Sequence, residues 1–514
     1  LERSHQILIK IASALISLML ISSCSANEQY LPIYSKDHCK QIPAAEQGNL
    51  SQYLAPFTDK MTSSTGIYVL EQGTEAMLTR AWLSQQAQKT IDIQYFIFSA
   101  DNIGLIAVDY LVRAANRGIK VRILVDDILV NATAEQLLKL SAHKNLEVKI
   151  YNPNINIGKN IAQKLYNVVT DFHGVNQRMH NKTFTVDGQV SITGGRNVAD
   201  EYFGYDHTYN FRDRDVLVLG GATDDIQTSF NDYWQSALSV PIEKLVETST
   251  KFTDDFSDLH NYACNPDNFV PKVRQMINDL PKVFAEIQQS GQLHWLNDVE
   301  YIADIPGKNT EDDFLGGGGK TTDKLIELAK SAKTSLTIQT PYLVTTKTTR
   351  ALLKSLVDSG VKVKVLTNSL ASNDNLEAFS GYQRDREEIL ETGIELYEFK
   401  PDAQIRQKVM SEVMQKQLPE MPIFGLHAKT MVIDNHTAVI GTFNLDPRST
   451  HLNTESLVII PSTQIASEVK RGMLAEMLPE NAWRITPDWN PDSEVGRLKR
   501  MKVKLRRVVP KSIL

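Results

Sequence analysis

The sequence predicts an α/β fold built from two tandem copies of one domain, and three observations carry that prediction. A strand-helix-strand pattern occurs twice, about 245 residues apart; a set of polar residues recurs at the same separation with unchanged spacings; and 514 residues suffice for two large domains. In the first pattern Thr90-Ile91-Asp92-Ile93-Gln94-Tyr95-Phe96 reads as a strand, and Leu105, Val108, Leu111 and Val112 fall at helical spacing. A second strand follows Arg117-Gly118. In the second pattern Ser335-Leu336-Thr337-Ile338-Gln339 is the strand, and Leu352, Leu353 and Leu356 mark the helix. Ser359-Gly360-Val361-Lys362-Val363-Lys364 then aligns residue for residue with Arg117-Gly118-Ile119-Lys120-Val121-Arg122. A repeat this long is a duplicated domain and not a solenoid unit.

Composition narrows the function classes. With 42% hydrophobic, 8% aromatic and 23% charged residues, disorder, collagen and a polytopic membrane protein are poor readings. Lys plus Arg (55) against Asp plus Glu (61) gives a net charge of -6, which argues against a surface built to neutralise nucleic-acid phosphates. Three cysteines exclude a disulfide-dense scaffold, and none has zinc-ligand spacing.

At the N-terminus Arg3 and Lys10 precede an apolar run from Ile11 to Ile21, and then Ser22-Ser23-Cys24. This resembles a bacterial lipoprotein signal, with Cys24 as the acylated new N-terminus; a simple membrane anchor is the alternative. Cys39 and Cys264 then face an oxidising compartment in which a disulfide is allowed. Residues 241 to 300, with Pro241, Pro266, Pro271 and Pro281, read as the connection between halves. Gly316 to Gly319 before Lys320-Thr321 suggests a phosphate loop, but the motif's first glycine would fall on Phe314, so these glycines read as a flexible loop before a helix.

The chemistry lies in the repeated set: His180-Asn181-Lys182, Asp187, Gly194 and Asn197, against His427-Ala428-Lys429, Asp434, Gly441 and Asn444. Residues i and i+2 of a strand share a face, so each His and its Lys address one space. Asp187-Gly188 and Asp434-Asn435 read as tight turns, which makes a turn or scaffold role the stronger reading of these aspartates, direct chemistry the weaker. If the halves face each other across a pseudo-twofold axis, both sets form one site for an anion, and two lysines without a metal cage suit a phosphodiester. One His would attack phosphorus to form a phospho-histidine, and the other would protonate the departing alcohol and deprotonate the incoming one. Lys182, Lys429, Asn197 and Asn444 would hold the phosphoryl oxygens. Asp213 and Glu455 each precede a strand placed to return beside the His-Lys strand, where a carboxylate would fix the imidazole tautomer; a solvated strand end is the plain alternative.

These paired motifs resemble the phospholipase D superfamily, and the stretches His180 to Phe203, Thr367 to Asp374 and Gly441 to Glu455 resemble bacterial cardiolipin synthases of the third type. The resemblance spans most of residues 66 to 510. It implies two phospholipase D-like α-β-α sandwich domains with a shared active site, a phosphatidyl-histidine on His180 with His427 as acid, and Asp213 and Glu455 orienting the histidines. It assigns the turn aspartates mainly to support. Two features depart from the pattern: Phe211 stands where many members have Trp, and a lipoprotein signal replaces paired membrane helices.

The expected organisation is a signal peptide at 1–23, a tether at 24–65, the first domain at 66–240, the connection at 241–300, the second domain at 301–480 and a basic tail at 481–514. The expected activity is synthesis of cardiolipin from phosphatidylglycerol and a second phospholipid, with phosphatidylethanolamine as a candidate, at a membrane surface and without cofactor or metal. A hydrolase of phospholipids or nucleic acids is the rival reading, and a catalytically silent envelope scaffold a third; no nucleic-acid partner is expected. The expected location is the cell envelope facing the periplasm, on the outer membrane of a Gram-negative host, because Ser25 and not Asp follows Cys24. Arg497 to Leu514 carries eight Lys or Arg and no acid, interleaved with apolar residues, and reads as a solvated tail or a lipid contact. Ile155 to Phe172, with Ile157, Ile161, Leu165 and Tyr166, reads as an apolar rim to the site or a packed surface helix.

Overall fold

A computed structural model of the chain describes residues 48–130, 132–159, 161–247, 252–265, 268, 279–309, 318–409 and 421–514. The signal segment, Cys24, Cys39, Pro266, Pro271 and Gly316-Gly317 lie outside the described residues, as does the tether up to residue 47.

The first half supplies β1 (Thr65–Leu70), β2 (Thr90–Phe98), β3 (Lys120–Val130), β4 (Leu146–Tyr151), β5 (Thr183–Val186), β6 (Val190–Gly194), β7 (Tyr209–Arg212), β8 (Asp215–Gly220) and β9 (Ser239–Pro241). From the connection comes β10 (His294–Leu296). The second half supplies β11 (Glu300–Ala303), β12 (Ser335–Gln339), β13 (Lys362–Asn368), β14 (Glu395–Phe399), β15 (Ile423–Leu426), β16 (Lys429–Ile433), β17 (Thr437–Gly441), β18 (Ser456–Pro461) and β19 (Ala482–Arg484). The first sheet runs β10-β1-β8-β6-β5-β2-β3-β4-β9 and the second β11-β18-β17-β16-β12-β13-β14-β19, so from β1 and β11 onward the strands correspond one to one. In each, a parallel trio (β2-β3-β4; β12-β13-β14) adjoins an antiparallel set.

The local chemistry explains this correspondence. The crossover helix Asn102–Asn116 is capped by Asp101, which accepts from Gly104 N–H, and its counterpart Lys347–Asp358 by Thr346, which accepts from Thr349 N–H. Both are followed by a glycine in the left-handed region, Gly118 (φ 96°) and Gly360 (φ 87°), where a β-carbon would be strained. This is why Arg117-Gly118 and Ser359-Gly360 align. The turns Asp187-Gly188 (φ 54° and 66°) and Asp434-Asn435 (φ 51° and 54°) have positive φ at both central residues, the geometry that matches strand twist in a tight hairpin.

Each sheet has helices on both faces, an α-β-α arrangement. On the outer faces lie two separate cores, one around Trp82, Ile93, Leu111 and Phe184, the other around Leu325, Leu353, Val365 and Ile433. Between the halves lies a third that draws on both, Val216, Val218 and Ile226 meeting Val432, Ile440, Val458 and Met473. The connection is held to the first half: β10 pairs with β1, and Phe284 of the helix Val283–Gln289 stacks on Trp82 at 4.9 Å. Two cross-half pairings complete the interface. β7 runs parallel to β15, and Met179 bridges to Thr454.

Two surface readings change. The C-terminal segment is not a loose tail but a helix, Arg497–Arg506, with Val503, Val509 and Ile513 buried. In the proposed rim, Ile155 and Ile157 are buried while Tyr166 is 68% exposed, so the segment divides between packing and surface. The side chains of Ile161, Leu165 and Phe172 lie outside the description.

Candidate active site

The cross-half pairings set the site. The segment leading to His180 lies against the segment leading to Glu455, with His180 N–H donating to Thr454 O (3.0 Å) and Thr454 N–H to Arg178 O (2.9 Å). Likewise β15, leading to His427, lies against β7, leading to Asp213, and His427 N–H donates to Arg212 O at 2.8 Å. Each histidine therefore meets the carboxylate of the other half: His180 Nδ1 lies 2.8 Å from Glu455 Oε2, and His427 Nδ1 2.5 Å from Asp213 Oδ2. Sequence reasoning put both carboxylates beside a His-Lys strand; the structure adds that the partners are exchanged. All four groups are buried.

Both carboxylates are braced. Glu455 Oε2 also accepts from Thr442 Oγ1 at 2.5 Å, and its backbone N–H donates to Asp304, which is paired with Lys308 at 2.8 Å. Asp213 Oδ1 accepts from Arg214 N–H at 2.7 Å. Beneath it lies an ionic lattice in which the half-buried Glu71 pairs with the buried Arg212 and Arg214, and Glu476 with Arg212 at 2.6 Å. Sequence reasoning missed Glu71, Asp304, Lys308 and Glu476. Glu71 and Glu476 reach arginines remote in the chain, and Asp304 and Lys308, though four residues apart, show their link to the site only through the distant Glu455 backbone.

The lysines turn inward. Lys182 Nζ donates to His180 O (2.7 Å) and Lys429 Nζ to His427 O (2.6 Å), and Lys429 Nζ lies 3.0 Å from His427 Nε2. Aromatic edges wall the imidazoles: Phe96 against His180 at 5.0 Å, Tyr202 and Phe211 against His427 at 5.1 and 4.7 Å. Phe211 thus fills the place expected for Trp. The Asn197 carbonyl oxygen accepts from Ile97 N–H at 3.0 Å, leaving its amide donor for an anion. Asn444 is also buried, its backbone N–H donating to Ser449 Oγ. Asn368, in the Thr367 to Asp374 motif, clasps the residue before His427: its amide donates to Leu426 O (2.7 Å) and its carbonyl accepts from Leu426 N–H (2.8 Å).

Asp187 and Asp434, grouped with the catalytic residues from the sequence, stand elsewhere. They occupy the hairpin turns at the other ends of β5 and β16. Asp187 accepts from the N–H groups of Gln88, Lys89 and Thr90, and Asp434 from those of Lys333, Thr334 and Ser335, at 2.7 to 2.9 Å. They pin the start of β2 and β12, the strands beside each His-Lys strand, and they touch none of the four central groups. Of the two readings the sequence allows for these aspartates, the geometry supports the scaffold role and not direct chemistry.

Electrostatics follow from burying four cation-capable groups together. Burial, and then the ammonium groups of Lys182 and Lys429, push His180 well below its ordinary pKa; burial and Lys429 push His427 down to about 3 against the pull of Asp213. Burial and Lys429 lower Lys182 to about 7, and burial lowers Lys429 to about 8. Burial raises Glu455 to about 7, with Lys182 and Thr442 opposing. Burial acts on Asp213 too, but His427, the hydrogen bond between them and Lys429 outweigh it and hold this carboxyl well below the usual range. Such a site is short of anionic charge and is suited to an anionic ligand, with both imidazoles held neutral.

Among the described residues one cluster of metal-ligand side-chain types occurs, Asp109 on the helix Asn102–Asn116 with His260 and Cys264 on and just after the helix Ser257–Ala263, and it does not include His180 or His427. Cys264 is disulfide-bonded, its partner lying outside the described residues. No helix among the described residues is long and apolar enough to cross a membrane.

Comparison with known proteins agrees with this geometry. A family model described as "Cardiolipin synthase, PLD-like domain" matches residues 83–234 and 325–476, one match per half. Cardiolipin synthase C of Escherichia coli (strain K12) is 31% identical over 465 residues, 89% of this chain and 94% of that protein. Cardiolipin synthase 1 of Bacillus anthracis is 25% identical over 417 residues, 81% of this chain and 66% of that protein. Among solved structures, phosphatidylserine synthase of Haemophilus influenzae Rd KW20 shares the fold, with a TM-score of 0.58 at 13% identity, covering 90% of this chain and 100% of the other. With both halves matched and both constellations complete, the chain belongs to the cardiolipin synthase, PLD-like domain family.

Proposed function

We propose that this chain is a phospholipid phosphatidyltransferase that makes cardiolipin from phosphatidylglycerol and a second phospholipid, phosphatidylethanolamine being the candidate. The observation that carries the reading is the buried pair of exchanged His-carboxylate dyads flanked by two lysines. Glu455 holds His180 through Nδ1, so that Nε2 carries a lone pair; this nitrogen attacks the phosphorus of the donor lipid. The P–O bond to the head-group alcohol breaks, and His427 gives that oxygen a proton. Lys182, Lys429, Asn197 and Asn444 hold the non-bridging oxygens as charge builds on them. In the second step the glycerol hydroxyl of phosphatidylglycerol loses its proton to His427 and attacks the phosphatidyl-His180, releasing the imidazole. One P–O bond is exchanged for another, and neither oxidant nor reductant is required.

Water in place of the lipid alcohol would make the protein a hydrolase, the rival reading. The test is incubation of the purified protein with phosphatidylglycerol, with and without phosphatidylethanolamine, and identification of every lipid product. Cardiolipin with free glycerol or ethanolamine is expected; phosphatidic acid as the main product would overturn the transferase reading. A phosphatidyl adduct should form on His180 and be absent from His180→Ala.

The proposed location is the envelope of a bacterium, with the chain anchored by acyl groups on Cys24. The run from Ile11 to Cys24 supports this, and a disulfide at Cys264 fits an oxidising compartment. Mass spectrometry of the mature N-terminus tests it. A peptide beginning at acylated Cys24 is expected, and an intact peptide containing residues 1 to 24 with an unmodified cysteine would overturn it.

A further inference from the structure

Residues 497 to 514 carry eight Lys or Arg and no acid in a chain of net charge -6, and the structure fixes them to the body of the second half. Val503 is fully buried, Arg506 pairs with Glu377 at 2.6 Å, and Lys511 pairs with Asp385. The rotation of the helix Arg497–Arg506 is thereby set. At 3.6 residues per turn Leu498, Met501 and Leu505 fall within about 60° of one another, on the side opposite Val503. They are 62, 53 and 64% exposed, and Val508 extends the stripe at 69%. Arg497 and Lys504 flank one edge of it and Lys502 the other. All three cations are exposed and have no acidic partner among the described residues.

We infer that this helix face docks onto an anionic phospholipid surface. An apolar stripe bordered by unpaired cations is complementary to the boundary between negative head groups and acyl chains, the apolar tips entering and the cations staying at the phosphates. A nucleic acid offers the charge but nothing for four large apolar side chains. The opposite side of the helix is tied to the active site: Lys499 Nζ donates to Ala371 O and Asn373 O, both at 3.4 Å. The next residue, Asp374, accepts from Tyr342 O–H at 2.8 Å, and its charge is felt at Lys429. Docking would therefore place at the lipid surface the helix whose inner side braces the loop beside Lys429. The inference deepens the proposed lipid chemistry, but its test does not depend on turnover.

Protein beginning at Ser25, without the apolar run Ile11 to Ile21 and the cysteine proposed for acylation, is mixed with vesicles of phosphatidylcholine alone or with added phosphatidylglycerol. Hydrogen exchange across residues 497–508 and co-flotation are then measured. Phosphatidylglycerol vesicles are expected to protect this helix, and salt to weaken the protection. The triple substitution Leu498→Ser/Met501→Ser/Leu505→Ser should lower binding roughly tenfold or more, and Lys502→Glu/Lys504→Glu should do so for the anionic vesicles only. Both variants should keep wild-type turnover of a short-chain phospholipid dissolved as monomers. Unchanged vesicle binding by the triple variant, equal protection by neutral vesicles, or protection by an oligonucleotide but not by vesicles would each overturn the inference.

Discussion

Replacing Asp213 by Asn removes one charge and nothing of the shape, and it tests the exchanged dyads directly. Asp213 Oδ2 sits 2.5 Å from His427 Nδ1. With charge centres about 4 Å apart and an effective dielectric of about 20, its contribution to an imidazolium on His427 is about 4 kcal/mol. That corresponds to roughly three decades in rate. Transfer from a natural lipid, whose alcohol needs a proton to leave, should fall by about 10³ in kcat. A phosphatidyl ester of p-nitrophenol separates the steps, because that leaving group departs without a proton. Asp213→Asn should then still release a rapid burst of about one nitrophenol per enzyme and stall afterwards, since the incoming alcohol lacks its base. Glu455→Gln disturbs the nucleophile itself and should slow the burst. The reasoning fails if Asp213→Asn slows the burst as much as Glu455→Gln does, or if the two variants exchange behaviours.

The turn aspartates should respond differently. Asp187→Asn and Asp434→Asn each remove a carboxylate that accepts three backbone N–H bonds, so a stability loss of about 1 to 3 kcal/mol by denaturant unfolding is expected, with kcat changed by less than roughly tenfold. A large kcat loss at unchanged stability would restore them to the chemistry. In pH profiles of kcat/KM, activity should rise as Glu455 ionises near pH 7 and fall as Lys182 and then Lys429 lose their protons near pH 7 and 8, which leaves a narrow optimum. Residual activity of Glu455→Gln should lack the acid limb, and a wild-type profile flat from acid to neutral pH would remove Glu455 from its accepting role. Finally, Lys182 and Lys429 supply the positive charge, so turnover should survive a chelator; a loss restored by Mg²⁺ or Zn²⁺ would contradict that source of charge.

Much of this was legible from periodicity and repetition. The His-Lys pairs could be read because a strand's alternation puts residues 180 and 182, and 427 and 429, on one face whatever surrounds them. The hairpin turns could be read because Asp-Gly and Asp-Asn tolerate positive φ. The exchange of carboxylates could not: it depends on β7 pairing with β15 and on Met179 meeting Thr454, contacts that cross between halves and leave no local spacing. The same holds for Glu71, which reaches Arg212 and Arg214 from far along the chain. The C-terminal segment was ambiguous for another reason. Its basic, apolar-interleaved composition reads as a solvated tail or a lipid contact, and nothing in that composition shows that Val503 packs into the second half.

The fold is nearly symmetric, but the two dyads are not, and the difference bears on which histidine does what. Asp213 accepts from Arg214 N–H, while Arg196 and Arg212 both donate to its backbone oxygen, at 2.7 and 2.6 Å. Ringed by arginines and bonded to His427, it stays ionised and is the better counter-ion for an imidazolium. Glu455 lies against Thr442 with burial raising its pKa to about 7, so it holds a neutral imidazole by a hydrogen bond and supports a cation less well. A nucleophile must be neutral when it attacks, whereas an acid must carry the proton it gives. Burial and the lysines keep both imidazoles neutral in the free site, so on the proposed mechanism His427 takes up its proton only as the anionic donor binds, and Asp213 is the carboxylate fitted to support it there. Because each carboxylate comes from the opposite half, neither half alone retains a complete dyad, and both dyads are lost together if the halves separate.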